Sequence, residues 1–164
     1  MTGIQAIKTA LQATQANVAW YLGDFTDAEL LVRPVPGANH AAWQLGNIIG
    51  GDVFLVTAEM PNAAFPTFPE GFLELHGPKG TANDGPAGFL TKAEYLKLFD
   101  ETRTATIAAL ETLSDADLDR PTSEGMQAWA PTFAHLFLFV SNHTLMHAGQ
   151  FSVIRRKLGK PVLM

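Results

Sequence analysis

The chain of 164 residues contains no cysteine. That absence removes thiol nucleophiles, disulfides and thiolate metal sites together, and leaves the compartment open. Charge is sparse too: 16% of residues are charged against 47% hydrophobic, with a net charge of -5 and a pI near 5.4. Positive charge gathers only in "RRKLGK" (155–160), at a predicted helix end where cations favour the helix dipole. With no basic face to hold a phosphate backbone, nucleic acid is excluded as a partner. No run reaches the roughly eighteen consecutive apolar residues of a membrane span, so no membrane association is expected. The opening "MTGIQAIKTALQATQ" lacks the basic and apolar regions of a signal peptide. The expectation is a cytoplasmic protein with one domain over 1–164, large enough to bury a core without metal or disulfide.

Four segments carry helical periodicity. In the first, Ile4, Ile7, Leu11, Val18, Leu22 and Phe25 recur at helical spacings. The second, over 39–60, is apolar nearly all round, and its seam runs through His40, Trp43, Asn47, Gly51, Phe54 and Ala58. Gly50 and Gly51 each cost roughly 1 kcal/mol of helix propensity against alanine, which points to close approach of a neighbouring helix or ligand. The third opens on the capping box Thr91 to Glu94 and turns Leu96, Phe99, Ile107 and Leu110 inward. The fourth starts near Pro131, with Phe133, Leu136, Val140, His143, His147, Phe151, Ile154 and Leu158 as its seam, and closes at Gly159 and Pro161. "SDADL" after the third helix echoes "TDAEL" after the first.

Residues 61–90 hold five of the ten prolines, with Phe65, Phe68, Phe72 and Phe89. A loop that long in a small domain is either functional or a crossover, and its phenylalanines predict that it packs down. The reading is an all-α four-helix bundle whose long middle loop crosses the bundle, leaving helices two and three parallel.

Within "SNHTLMHAGQF" (141–151), His143 and His147 lie four apart on one helix face and can aim both imidazoles at one point. The bare pattern is weak, and Thr144, Leu145 and Met146 between them exclude the glutamate base of an HExxH protease. The alternative is a pair of seam histidines hydrogen-bonded to polar neighbours. Two features favour a site: burying an unpartnered imidazole is costly, and the second helix offers its own polar seam residue, Asn47. No carboxylate falls on the seams nearby, so no general base is assigned.

At this point the chain resembles a family. "FAHLFLFVSNHTLMHAGQFSVIRRKLGKP" is similar to the closing motif of the DinB-like (DinB/YfiT-like) metalloenzymes: a histidine, a second four residues later followed by Gly-Gln, then an Arg-rich end and Leu-Gly-x-Pro. "PVPGANHAAWQLGNIIGGD" (34–52) resembles that family's Trp-x-x-x-His segment. The "TDAEL…RPVPG" corner and the long loop agree, so the resemblance spans nearly the whole chain.

It implies an up-down-down-up bundle and a divalent transition metal (zinc, nickel or iron) held by three histidines. Carried over, two of these are His143 and His147. The third position is Asn47, where this chain departs, and a neutral amide oxygen is a poorer ligand than imidazole for such ions. His40 stands seven residues from Asn47, about 10 Å along the helix; His135 belongs to a bundle end, and His76 reaches the site only if the loop folds over it. The resemblance further implies a homodimer, and a metal that activates an exogenous low-molecular-weight thiol or water toward a small-molecule electrophile. Gln44 and Gln150 are candidates to hydrogen-bond the ligand residues. The competing reading is a non-catalytic bundle with a degenerate site, in which Trp43, Trp129 and the loop phenylalanines line a dry cavity.

Overall fold

The computed structural model describes residues 1–163. Four long helices, α1 (Gly3–Leu22), α2 (Ala41–Glu59), α4 (Lys92–Glu111) and α5 (Phe133–Lys157), are joined by turns and by one long crossing segment. That segment contains a single helical turn, α3 (Phe72–Leu75), and a 3-10 turn over Pro78–Gly80. The only β-type pairing among the described residues is an isolated bridge between Pro121 and Thr132. The all-α bundle expected from the periodicities is what forms, with α3 as an addition. None of the described helices is long and apolar enough to cross a membrane.

The predicted capping box of Thr91 with Glu94 starts α4, and a second one, which the sequence reading does not include, joins Thr2 with Gln5 at the head of α1. The two echoing corners are the same device: Ser114 pairs reciprocally with Asp117, and Thr26 with Glu29. Each sets up a 3-10 turn, Asp115–Asp119 and Glu29–Leu31 respectively. Past the end of α5, Gly159 adopts φ +68, the left-handed conformation that a side chain resists.

Two apolar clusters fill the bundle. One joins Val18 and Leu22 to Ala42 and Leu45, to Tyr95 and Phe99, and to Phe151 and Ile154. The other joins Ile7 and Leu11 to Leu55 and Val56, to Ala109 and Leu110, and to Phe133 and Leu136. Each pairs the end of α1 with the start of α2, or the reverse, so α2 and α4 run together while α1 and α5 oppose them. Phe72 is buried and Phe65, Phe68 and Phe89 are half-buried, so the crossing segment does pack down.

The predicted seam of α2 needs correction. Trp43 is buried, but Asn47 and Gly51 are half-buried and Phe54 is 67% exposed. The core side of α2 is instead Leu45, Ile48, Ile49, Asp52, Leu55 and Val56. A helix apolar all round gives no contrast from which to pick its inner face, so one apolar stripe was mistaken for the other. In α4, Phe99 and Leu110 are buried as expected, while Leu96 and Ile107 are only half-buried; Tyr95, Leu98, Thr102, Arg103 and Thr106 share the inner face.

At the bundle centre lies an ion pair that the sequence reading did not find. Arg103 Nε is 3.0 Å from Asp52 Oδ2, with both side chains fully buried. Arg103 Nη2 donates to Thr144 Oγ1 at 2.7 Å, and Thr106 Oγ1 donates to Asp52 Oδ2 at 3.3 Å. Burial pushes the Asp52 carboxyl up to about 6, while Arg103's charge and the Thr106 hydroxyl oppose that rise. The guanidinium stays charged, so at neutral pH the carboxylate is its counter-ion.

Candidate functional site

His143 and His147 project from α5 toward α2, and their Nε2 atoms stand 3.3 Å apart. Gln44 of α2 is buried and fixes the second ring. Its Nε2 donates to the Asn39 carbonyl at 2.7 Å, which leaves Oε1 to accept from His147 Nδ1 at 3.0 Å. The proton therefore sits on Nδ1, and the Nε2 lone pair of His147 faces His143. Burial, and after it the charge of neighbouring His143, pulls His147 down to about 4, so at neutral pH it is an unprotonated ligand-type imidazole. His143 is also held below its usual value, by burial first and by Arg103's charge second. Its ring lies against Gly51, where an added Cβ would come within 3.0 Å of Cε1. The glycine predicted to permit close approach does so for a ligand candidate. His143 Nδ1 is buried and has no hydrogen-bond partner among the described residues.

Asn47 reaches the same region but is already engaged: its Nδ2 donates to the His76 carbonyl at 3.0 Å. Four residues earlier, Trp43 Nε1 donates to the next carbonyl, that of Gly77, at 3.2 Å. One face of α2 thus grips two consecutive carbonyls of the crossing segment. That segment folds over the site as a condition for His76 to approach, yet His76 spends both nitrogens elsewhere. Nδ1–H donates to the Phe72 carbonyl at 2.7 Å, and Nε2 accepts from the Tyr95 hydroxyl at 2.6 Å.

His40, seven residues before Asn47, is buried as the N-cap of α2. Its Nδ1 accepts from Trp43 N–H, and its Nε2–H donates to the Asn83 carbonyl. His135 is exposed beside Thr132 at the head of α5. Gln150 is exposed, so of the two candidate glutamines only Gln44 supports a site residue.

Beside the histidine pair opens a cleft of about 1210 Å³. Its walls are Asn47, Gly50, Gly51 and Phe54 from α2, Leu73 and His76 from the crossing segment, Met126 and Trp129 before α5, and Phe139, Asn142, His143 and Met146 on α5. Trp129 is 69% exposed at its rim, whereas Trp43 and the loop phenylalanines do not line it. Among the described residues, no Asp, Glu, Lys or Arg lines the cleft.

The donor set can be weighed against a metal ion. Two imidazole nitrogens at about 2.0–2.1 Å from one tetrahedral ion stand about 3.3–3.4 Å apart. The observed 3.3 Å matches that separation, and also permits a direct hydrogen bond. No group of three His, Cys, Asp or Glu side chains able to hold a metal gathers among the described residues. The donors shown together are two imidazoles, and two alone suit loose rather than tight binding.

His76 gives a pH prediction. Burial depresses its folded value to about 4, against 6.5 for the free side chain. Above pH 6.5 both states are neutral and the group contributes nothing to pH dependence. Below it the unfolded chain takes up a proton that the folded chain refuses, so stability falls as pH falls, by about 2 kcal/mol at pH 5. His147 acts in the same direction, and the raised Asp52 acts oppositely between about 6 and 3.8. Melting temperature should therefore drop from pH 7.5 to pH 5, and His76→Gln should shrink that drop. An unchanged pH slope in the variant would refute the assignment.

A helical bundle that builds a polar pocket from facing residues of two helices, opening onto an apolar cleft, defines the class of this protein. Within that class the chain belongs to the DinB superfamily, whose family model matches residues 10–151. No curated protein and no solved structure matches it.

Proposed function

We propose that this protein is a small-molecule enzyme in which His143, His147 and Asn47 hold a divalent transition metal beside the apolar cleft. The supporting observation is the convergence of the two Nε2 atoms, with Gln44 fixing the His147 tautomer in its ligand form. Bound there by neutral ligands, a zinc, nickel or iron ion would lower the pKa of a coordinated water or low-molecular-weight thiol and so would supply a nucleophile toward a small electrophile. The chain's own residues do the rest. Gly51 admits the His143 ring, and Phe54, Phe139, Met146 and Trp129 bind an apolar substrate and displace water from it. The lining, free of charged side chains, selects a neutral substrate and offers no counter-ion to an anionic thiol, which favours water as the nucleophile. A cytoplasmic setting is part of the same reading.

One observation favours a second reading. The Asn47 amide already fastens the crossing segment, and no third strong donor accompanies the histidines. On that reading the metal site is degenerate and the protein is a non-catalytic bundle, with the cleft binding an apolar small molecule.

Metal titration separates the two. Untagged wild type should bind about one zinc or nickel ion per chain with modest affinity, and Asn47→His should bind at least tenfold more tightly, worth about 1.4 kcal/mol. If wild type takes up no ion and His147→Ala leaves stability unchanged, the second reading stands. An Asn47→His affinity equal to wild type would remove residue 47 from the site.

A further inference from the structure

We propose that the cleft is a one-ended groove for a neutral, unbranched amphiphile, with the polar head at the histidine pair and the alkyl chain running out past Phe54 and Trp129. The inference rests on the reading of the cleft as a small-molecule site, and it names the class of molecule. It applies to the protein with or without a metal ion.

The groove is long because its two main walls are antiparallel helices. Gln44 of α2 meets His147 of α5, and Gly51 meets His143, so residue numbers rise along one wall as they fall along the other. On α2 the lining extends from Asn47 to Thr57, about 15 Å of helix. A trough of that length between two helices fits an extended molecule better than a compact one.

Its two ends differ. At one end the crossing segment closes over α2. Asn47 donates to the His76 carbonyl, and Leu73 rests on Gly50, where an added Cβ would lie 3.0 Å from Cδ2. At the other end stand Phe54, Met126, Trp129 and Phe139. Glu59, the last residue of α2, accepts from Ser123 N–H at 2.9 Å and so holds the segment with Met126 and Trp129 at this level. Thr57, the polar α2 side chain here, spends its hydroxyl on the Val53 carbonyl at 2.7 Å. This end is open: Phe54 is 67% exposed and Trp129 is 69% exposed. An alkyl chain lying between them would cover both.

The head must be uncharged. Among the described residues no charged side chain lines the groove, so an ionised head would lose its water without gaining a counter-ion. In the metal-free protein Asn47 has its Nδ2 engaged and Oδ1 left to accept, and Asn142 on the α5 wall can donate or accept. A primary amide answers both.

Calorimetric titration in chelator at neutral pH, with butanamide, hexanamide and octanamide, tests the proposal. Each methylene taken into the groove should tighten binding about three- to fourfold, so octanamide should bind at least about 50-fold better than butanamide. Octanoate, the same chain with a charged head, should bind at least about tenfold more weakly than octanamide. Phe54→Ser should weaken octanamide at least about fivefold and leave butanamide unchanged, a split that a general loss of structure would not give. Leu145→Ser, at an exposed apolar position outside the groove, should bind like wild type. A flat dependence on chain length, octanoate equal to octanamide, or equal losses in the two variants overturns the proposal. Planar naphthamide binding more tightly than octanamide overturns the linear chain alone. No binding by any of these amides, naphthamide included, overturns the small-molecule reading of the cleft as well.

Discussion

Replacing Asp52 by alanine is expected to destabilise the protein by about 3–5 kcal/mol, the cost of leaving a buried charge without its partner. For a chain of this size that lowers the melting temperature by roughly 10 °C or more. Among the described residues nothing else near Arg103 can replace the lost carboxylate, since its other polar contacts are neutral, the Thr144 hydroxyl and the Leu11 carbonyl. The double variant Asp52→Leu, Arg103→Met should recover most of the loss, because removing both charges also removes the desolvation that each incurs. Circular-dichroism melts of the two variants beside wild type decide the matter. A single variant within 1 kcal/mol of wild type would mean that water reaches the pair. The loss has a local consequence as well: Thr144 neighbours His143, so a displaced guanidinium disturbs the helix turn that presents the histidine pair.

The second large effect is expected at Gly46. By helix propensity alone Gly46→Ala should stabilise α2 by roughly 1 kcal/mol. The added Cβ, however, would fall 2.0 Å from Cδ2 and 2.1 Å from Cγ of His76. The ring cannot swing aside freely, because hydrogen bonds to Phe72 and Tyr95 pin both its nitrogens. Overpacking of this kind costs about 1–3 kcal/mol, and breaking the two buried bonds adds to it, so the net change is a loss of about 2 kcal/mol or more. Gly51→Ala meets the His143 ring at 3.0 Å and should cost less, with its main effect on the placing of that ring. A Gly46→Ala variant more stable than wild type would show that the crossing segment is not seated on α2 as described.

Much of this architecture was legible in the sequence. The periodicity of α1 and α5 picked out their buried faces, in α1 because an apolar side contrasts with a polar one. His143 and His147 could be paired from spacing alone, since a helix fixes where residues four apart point. What remained hidden was the geometry of α2 and its partners. An all-apolar helix does not announce its inner face, so Phe54 was placed inward. Asp52 and Arg103 escaped notice because each looked like a surface charge until a neighbouring helix supplied the other. A carboxylate midway along so apolar a helix, well before the terminal Glu59, is the available clue. The roles of His40 and His76 in fastening the loop depend on contacts across 43 and 19 residues, to Asn83 and Tyr95, which no local pattern encodes.

The side chain at position 47 sits at a junction of two duties. As asparagine it works as a latch, holding the crossing segment shut through the carbonyl of His76. As histidine it would grip an ion and release that latch. Asn47→His should therefore melt earlier than wild type in chelator and later in excess zinc, so that stability becomes a function of metal supply. With asparagine at this position the chain holds its fold through the latch, whatever the supply of ion.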